Sequence, residues 1–231
     1  MNTELANLPG TSESELTDEM LGQLPDTAPL APWPLAASVL SWSARPDAGA
    51  VEAVRAVLPA PLRDATPLLT AGMLISYAET PVGRYDEIIG AVLLRQGRTV
   101  FVHIPFIAVS SAASVVGGRA NWSLPKTLAN FDGHPASGRT MTARGAGWEV
   151  SATARTRGPA LPFLLPPLLR LVQVDASGRR WGAPVRASGW FQTARVTVKV
   201  SSTGELGSWL PQGPQVGLVT PKATSTLPAP R

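Results

Sequence analysis

The chain has 231 residues, 44% of them hydrophobic and only 16% charged, with a net charge of +4, which fits one domain with a substantial core. The absence of cysteine excludes disulfides, thiolate metal sites, iron–sulfur clusters and cysteine catalysis. Two histidines, His103 and His134, do not make a histidine-rich metal site, and the arginines are scattered, so no basic stripe for nucleic acid is expected.

Residues 1–27 are polar and acidic, with Glu4, Glu13, Glu15, Asp18, Glu19 and Asp26 and no Lys or Arg before Arg45. They read as a flexible arm in which Ser12–Leu24 offers a short helix with a narrow apolar stripe of Leu16, Met20 and Leu24. The start lacks the basic and apolar regions of a signal peptide, and the apolar run Leu161–Leu169 is broken by prolines and too short to cross a bilayer. A cytoplasmic protein without a membrane partner is expected. Residues 28–210 read as the folded domain. Ala48, Val51, Val54 and Val57 recur at helical spacing, predicting a helix over Asp47–Val57 that Pro59 ends. Thr70–Ala78, Tyr85–Arg95 and Thr99–Phe106 predict strands, with a turn at Gly97-Arg98. Val109–Ala120 predicts a small-residue helix, followed by a turn over Trp122–Lys126. Further strands are expected around Leu128–Phe131, Arg139–Arg144, Gly147–Thr156, Leu169–Ala176, Arg180–Trp190 and Ala194–Val200. Residues 211–231, rich in Pro, Thr and Ser, read as an extended or disordered tail. The fold class is α+β: mostly antiparallel β, a closed or nearly closed barrel-like core with a few short flanking helices.

Lys126 is one of only three lysines, with Lys199 and Lys222. An arginine stays protonated and cannot act as an amine nucleophile, whereas a lysine can. Lys126 follows the apolar turn Trp122-Ser123-Leu124-Pro125, a setting in which burial lowers the pKa and frees the amine. Read alone, it is first a surface lysine after a turn, and an exposed strand carboxylate is the more frequent fate of a residue such as Glu87. Asp86 should face away from Glu87, because neighbouring strand residues alternate. His103 reads as a core residue.

Tyr85-Asp86-Glu87, then Gly117-Gly118-Arg119, then Trp122-Ser123-Leu124-Pro125-Lys126, together with Ala53–Leu62 upstream, resemble the acetoacetate decarboxylase superfamily in order and spacing. The resemblance implies that Lys126 is the Schiff-base lysine and Glu87 an active-site acid, with no cofactor and no metal. It also implies a small oxo-acid or ketone substrate and a homo-oligomer. Arg119 either caps the helix end or binds a substrate carboxylate. Trp122, Leu124, Phe106 and Tyr85 are the expected substrate-binding walls. The chain departs from the family where Thr127 replaces a second lysine, where Ala120 replaces a glutamate, and where Ala31–Leu35 lacks an arginine. The expected activity is a lyase of decarboxylase or aldolase–dehydratase type; the alternative is a non-catalytic binder on the same fold.

Overall fold

The computed structural model describes residues 6–165 and 169–230. Twelve strands form one continuous sheet: β1 (Trp33–Ala44), β2 (Thr66–Glu79), β3 (Tyr85–Gln96), β4 (Thr99–Val109), β5 (Lys126–Leu128), β6 (Asn130–Asp132), β7 (Thr140–Gly145), β8 (Trp148–Leu165), β9 (Arg170–Val174), β10 (Arg180–Pro184), β11 (Arg186–Ser202) and β12 (Gly213–Leu227). The helices are α1 (Asp18–Gln23), α2 (Ala48–Val57), α3 (Ala112–Trp122) and α4 (Leu206–Trp209). Asp47 caps α2 by accepting from the Ala50 N–H at 2.8 Å, as the sequence predicts for a helix starting there. Among the described residues no helix is long and apolar enough to cross a membrane.

The spatial order is β10-β9-β4-β3-β2-β1-β12-β11-β8-β7-β6, with β5 added to β4. Pairing is antiparallel except where β5 and β9 run parallel to β4. The strand-dominated α+β class is therefore observed, but the expected barrel closure is not. The sheet bends at bulges in β1, β2, β3 and β11 until its two halves face each other. Phe106 of β4 then meets Trp148 of β8 edge-on, with ring centroids 5.1 Å apart. The halves are held apart by large side chains such as Trp42, Phe106, Trp148 and Trp209, all in the main core. Side-chain packing spaces sheets by roughly 10 Å, about twice the ladder spacing, so the short end strands β10 and β6 do not zip together.

Two expectations about the termini are overturned. The C-terminal segment is not a tail: β12 lies between β1 and β11 in the interior of the sheet. Its Pro221 falls in a register shift against both neighbours, where a missing N–H costs no ladder bond. The N-terminal segment is not a loose arm either. Thr11, Glu13 and Ser14 are buried, and Glu13 Oε1 accepts from the Leu206 N–H at 2.7 Å, capping α4 from a distant part of the chain. Residues 1–5 of the expected arm lie outside the described residues, as do Pro166, Pro167 and Leu168 of the apolar run and Arg231 of the expected tail.

His103, on β4, is 1% exposed, and its Nδ1 lies 3.0 Å from the Val172 carbonyl oxygen. Burial pushes its pKa down to about 4. The folded chain therefore refuses a proton that the unfolded chain binds near pH 6.5. Above that pH histidine is neutral in both states and nothing is lost; between 6.5 and 4 stability falls by about 1.4 kcal/mol per pH unit. Urea unfolding at pH 5 is expected to give about 2 kcal/mol less stability from this group than at pH 7. His103→Met should remove that part of the slope.

Candidate active site

Strand alternation and one hairpin bring the central residues together. Glu87 lies opposite Val109 in the β3–β4 ladder, and Lys126 opposite Ile107 in the β4–β5 ladder. Ile107 and Val109 share a face, so Glu87 and Lys126 do too. The two side chains meet at 2.6 Å, Nζ to Oε2, and are 5% and 2% exposed. Nζ also donates to Ser114 Oγ of α3 at 3.0 Å and lies 5.3 Å from the centre of the Tyr85 ring. Tyr77 closes the other side of Glu87, its hydroxyl donating to Oε1 at 3.0 Å. Asp86 points the other way and bonds Ser76, as alternation predicts.

α3 is shaped for this lysine. It is capped by Ser111 and ends at Ser123, whose φ of 47° is left-handed. Gly118 faces the Lys126 side chain so closely that a Cβ there would stand 2.5 Å from Lys126 Cδ and 2.7 Å from Cε. Gly118→Ala is expected to push the lysine off Glu87. A pH titration of the Lys126 amine should shift, and any turnover should fall by about a hundredfold or more, in keeping with the cost of ångström-scale misplacement.

The expectation that apolar walls keep the amine neutral is overturned. Burial is the largest single influence and pushes the Lys126 pKa down, but the Glu87 carboxylate and Tyr85 together outweigh it and hold the group above its ordinary value. The resting pair is ammonium and carboxylate. Tyr77 is held well above the usual tyrosine value by burial and by Glu87, and Tyr85 is raised by burial, so both hydroxyls keep their protons.

The remaining predicted site residues are placed differently. Tyr85 lies beside the lysine. Phe106 does not: it projects from the opposite face of β4 into the main core against Trp148. Trp122 and Leu124 belong to an apolar cluster with Trp33 and Ile107 on the site's face of the sheet. Trp122 donates its indole N–H to the Pro228 carbonyl at 2.7 Å. Arg119 is 2% exposed. Its Nε donates to the Lys126 carbonyl at 2.6 Å and its Nη2 to the Ser14 carbonyl at 2.8 Å. It ties β5 to the N-terminal segment, a structural role nearer the capping alternative than carboxylate binding. A cleft of about 350 Å³ lined by Asn121, Ser123, Asp175 and Trp181 opens near the end of α3 and does not include Lys126 or Glu87.

Above the pair lies the N-terminal segment. Leu16 and Leu24 pack with Tyr85, Val109 and Val115, and the Thr127 hydroxyl donates to the Glu15 carbonyl at 3.2 Å. Sequence reasoning missed Tyr77, Ser114 and this cover. The hairpin register that pairs Tyr77 with Tyr85 was a signal for the first; no local signal marked the cover. Among the described residues no cluster of His, Cys, Asp and Glu has metal-holding geometry.

The arrangement is a buried amine with a carboxylate in proton-transfer reach, steadied by a hydroxyl on each side. Comparison with known proteins gives this geometry its context. The family model described as acetoacetate decarboxylase matches residues 27–156, more than half the chain and including both Glu87 and Lys126. No curated protein matches significantly. The fold is similar to that of the enduracididine biosynthesis enzyme MppR complexed with pyruvate, with 15% identity and TM-score 0.63, covering 88% of this chain and 90% of that one. It is also similar to an acetoacetate decarboxylase-like enzyme from Sphingomonas wittichii RW1, with 14% identity and TM-score 0.61, covering 88% and 93%. The acetoacetate decarboxylase from Legionella pneumophila is a third likeness, with 13% identity and TM-score 0.58, covering 90% and 89%. At these identities the structures speak for the fold.

Proposed function

Because the chain belongs to the acetoacetate decarboxylase family, we propose that it is a lyase that joins Lys126 to the carbonyl of a small oxo acid or ketone as an imine. The observation that carries this reading is the buried contact of Lys126 Nζ with Glu87 Oε2 at 2.6 Å. An ammonium cannot attack a carbonyl; passing its proton to Glu87 frees the nitrogen lone pair at the moment the substrate arrives. The nitrogen bonds to the carbonyl carbon, and the carbonyl oxygen leaves as water with two protons. The resulting iminium draws electrons from a neighbouring C–C bond, which breaks to release carbon dioxide from an oxo acid, or an aldehyde from a hydroxy ketone, and to leave an enamine. That carbon takes a proton relayed through Glu87, which regains it from water or from the hydroxyl of the departing fragment, and hydrolysis returns the lysine. Ser114 holds the nitrogen in place, and Tyr77 holds Glu87 in line with it.

The second reading, a binder without turnover, draws support from the same ion pair, which stores the amine in its unreactive form. Borohydride reduction separates the two. An imine former is expected to gain the mass of a reduced carbonyl adduct at Lys126 when incubated with pyruvate, acetoacetate or acetone, and a binder is not. Absence of adduct with all three overturns the imine reading. Assembly as a homo-oligomer belongs to the same proposal. It is supported by large apolar side chains left exposed on adjacent β8 and β11, among them Leu164 and Trp190.

A further inference from the structure

Imine formation at Lys126 leaves the charge of the site unchanged. The ammonium and a carbonyl become an iminium and water, so one positive charge faces Glu87 before and after. The pair is balanced, and its side chains are 5% and 2% exposed. A substrate carboxylate would add a third charge and leave the site net negative where water cannot screen it.

The nearby cationic and polar groups are otherwise committed. Arg119 spends Nε and Nη2 on backbone carbonyls of Lys126 and Ser14. Thr127, the next residue of β5, is uncharged, and its hydroxyl turns to the Glu15 carbonyl. The covering segment has no Lys or Arg before Arg45; it contributes Glu13, Glu15, Asp18 and Glu19 instead. Arg84, on the turn before β3, is exposed to solvent. The wall that remains is apolar with hydroxyls: Leu16, Leu24, Tyr77, Tyr85, Val109 and Val115. Such a wall suits an uncharged carbonyl compound.

We infer that the substrate at Lys126 is a neutral ketone or aldehyde with an apolar flank, not an oxo acid. The inference rests on the imine reading and selects within it. A neutral carbonyl compound has no carboxylate to lose, so the C–C cleavage is of the retro-aldol kind. In a β-hydroxy ketone bound as the iminium, Glu87 takes the hydroxyl proton and the C–C bond electrons move into the iminium. An aldehyde departs, leaving an enamine. The enamine carbon is protonated, and water releases the ketone. Atoms and electrons balance without an oxidant or reductant.

The test uses the full chain and matched pairs that differ in charge: acetoacetate against methyl acetoacetate, and pyruvate against methyl pyruvate. Borohydride trapping at Lys126 is read by peptide mass. Each rate is divided by that of the same compound with a simple primary amine in solution, which removes the esters' greater electrophilicity. The neutral member of each pair is expected to label Lys126 about tenfold or more faster after this correction, because like-charge contact in a buried site is costly. Equal or faster labelling by the acids overturns the inference and leaves the imine reading standing. No label at Lys126 from any of the four overturns the imine reading and the inference with it.

Discussion

Lys126→Arg is expected to abolish both borohydride labelling and turnover, a loss on the order of ten-thousandfold or more, while the chain still folds. Arginine keeps the positive charge opposite Glu87 but cannot give up a proton to become a nucleophile. Its larger head must fit beside Gly118, where the lysine stem is already in close contact, so a packing cost of about 1–3 kcal/mol is expected. Lys126→Ala separates chemistry from stability. It leaves the Glu87 carboxylate buried without its cation, which typically costs about 3–5 kcal/mol. Adding Glu87→Gln to Lys126→Ala should recover part of that loss without restoring labelling. Circular dichroism and urea unfolding measure the stability terms; peptide mass measures the label. Residual labelling of Lys126→Arg elsewhere in the chain would place the nucleophile on Lys199 or Lys222. The pH dependence has a definite sign. The folded Lys126 pKa lies above its unfolded value, so the stabilisation is fully present below about pH 10.5 and is lost as the pH rises through the folded value.

The two ends of that ion pair were legible for a physical reason. Each sits in a short local pattern, and strand alternation alone separates Glu87 from Asp86. What the lysine experiences was not legible. An apolar turn predicts a depressed pKa, but the carboxylate 2.6 Å away and Tyr85 beside it together reverse the direction, and their approach depends on β5 joining β4 in parallel, a pairing across residues distant in sequence. Phe106 was misassigned for a related reason. Its strand was read correctly, but the face it uses follows from the pairing with β3: Glu87 lies opposite Val109 and Gly90 opposite Phe106, three residues along and so on the other face. A register shift of one residue exchanges the two faces of a strand. β12 was hidden by composition: prolines and threonines argue for a tail unless the proline that would break a ladder falls in a bulge, as Pro221 does. In each case the outcome was set by a partner that is non-local.

The N-terminal segment carries the largest expected effect on stability. Its acidic composition predicts that residues 1–27 can be removed at no cost; the contacts predict the opposite. Thr11 donates its N–H to the Pro105 carbonyl at 2.9 Å. Glu13 Oε1 accepts from Ser202 Oγ at 2.5 Å and from the Leu206 N–H at 2.7 Å, while Ser12 Oγ and N–H both donate to Glu205. Ser14 gives Arg119 a carbonyl acceptor at 2.8 Å. Hydrogen bonds to charged groups contribute roughly 1.5–3 kcal/mol each, so the two Glu13 contacts and the Arg119 contact alone amount to about 4.5–9 kcal/mol. Domains of this kind are stable by only about 5–15 kcal/mol, so deletion of residues 1–27 is expected to leave a chain that is marginally folded at 25 °C. Glu13→Ala, which removes the cap on α4 and leaves the cover over Lys126, should cost about 1–3 kcal/mol. The same deletion strips Leu16 and Leu24 from the Tyr85 cluster, so hydrogen exchange at β3 and β5 should quicken even in molecules that stay folded. An unchanged urea midpoint after deletion, with unchanged exchange at β5, would mean that the segment does not hold this position in solution, and that the lysine is open to water in the resting protein.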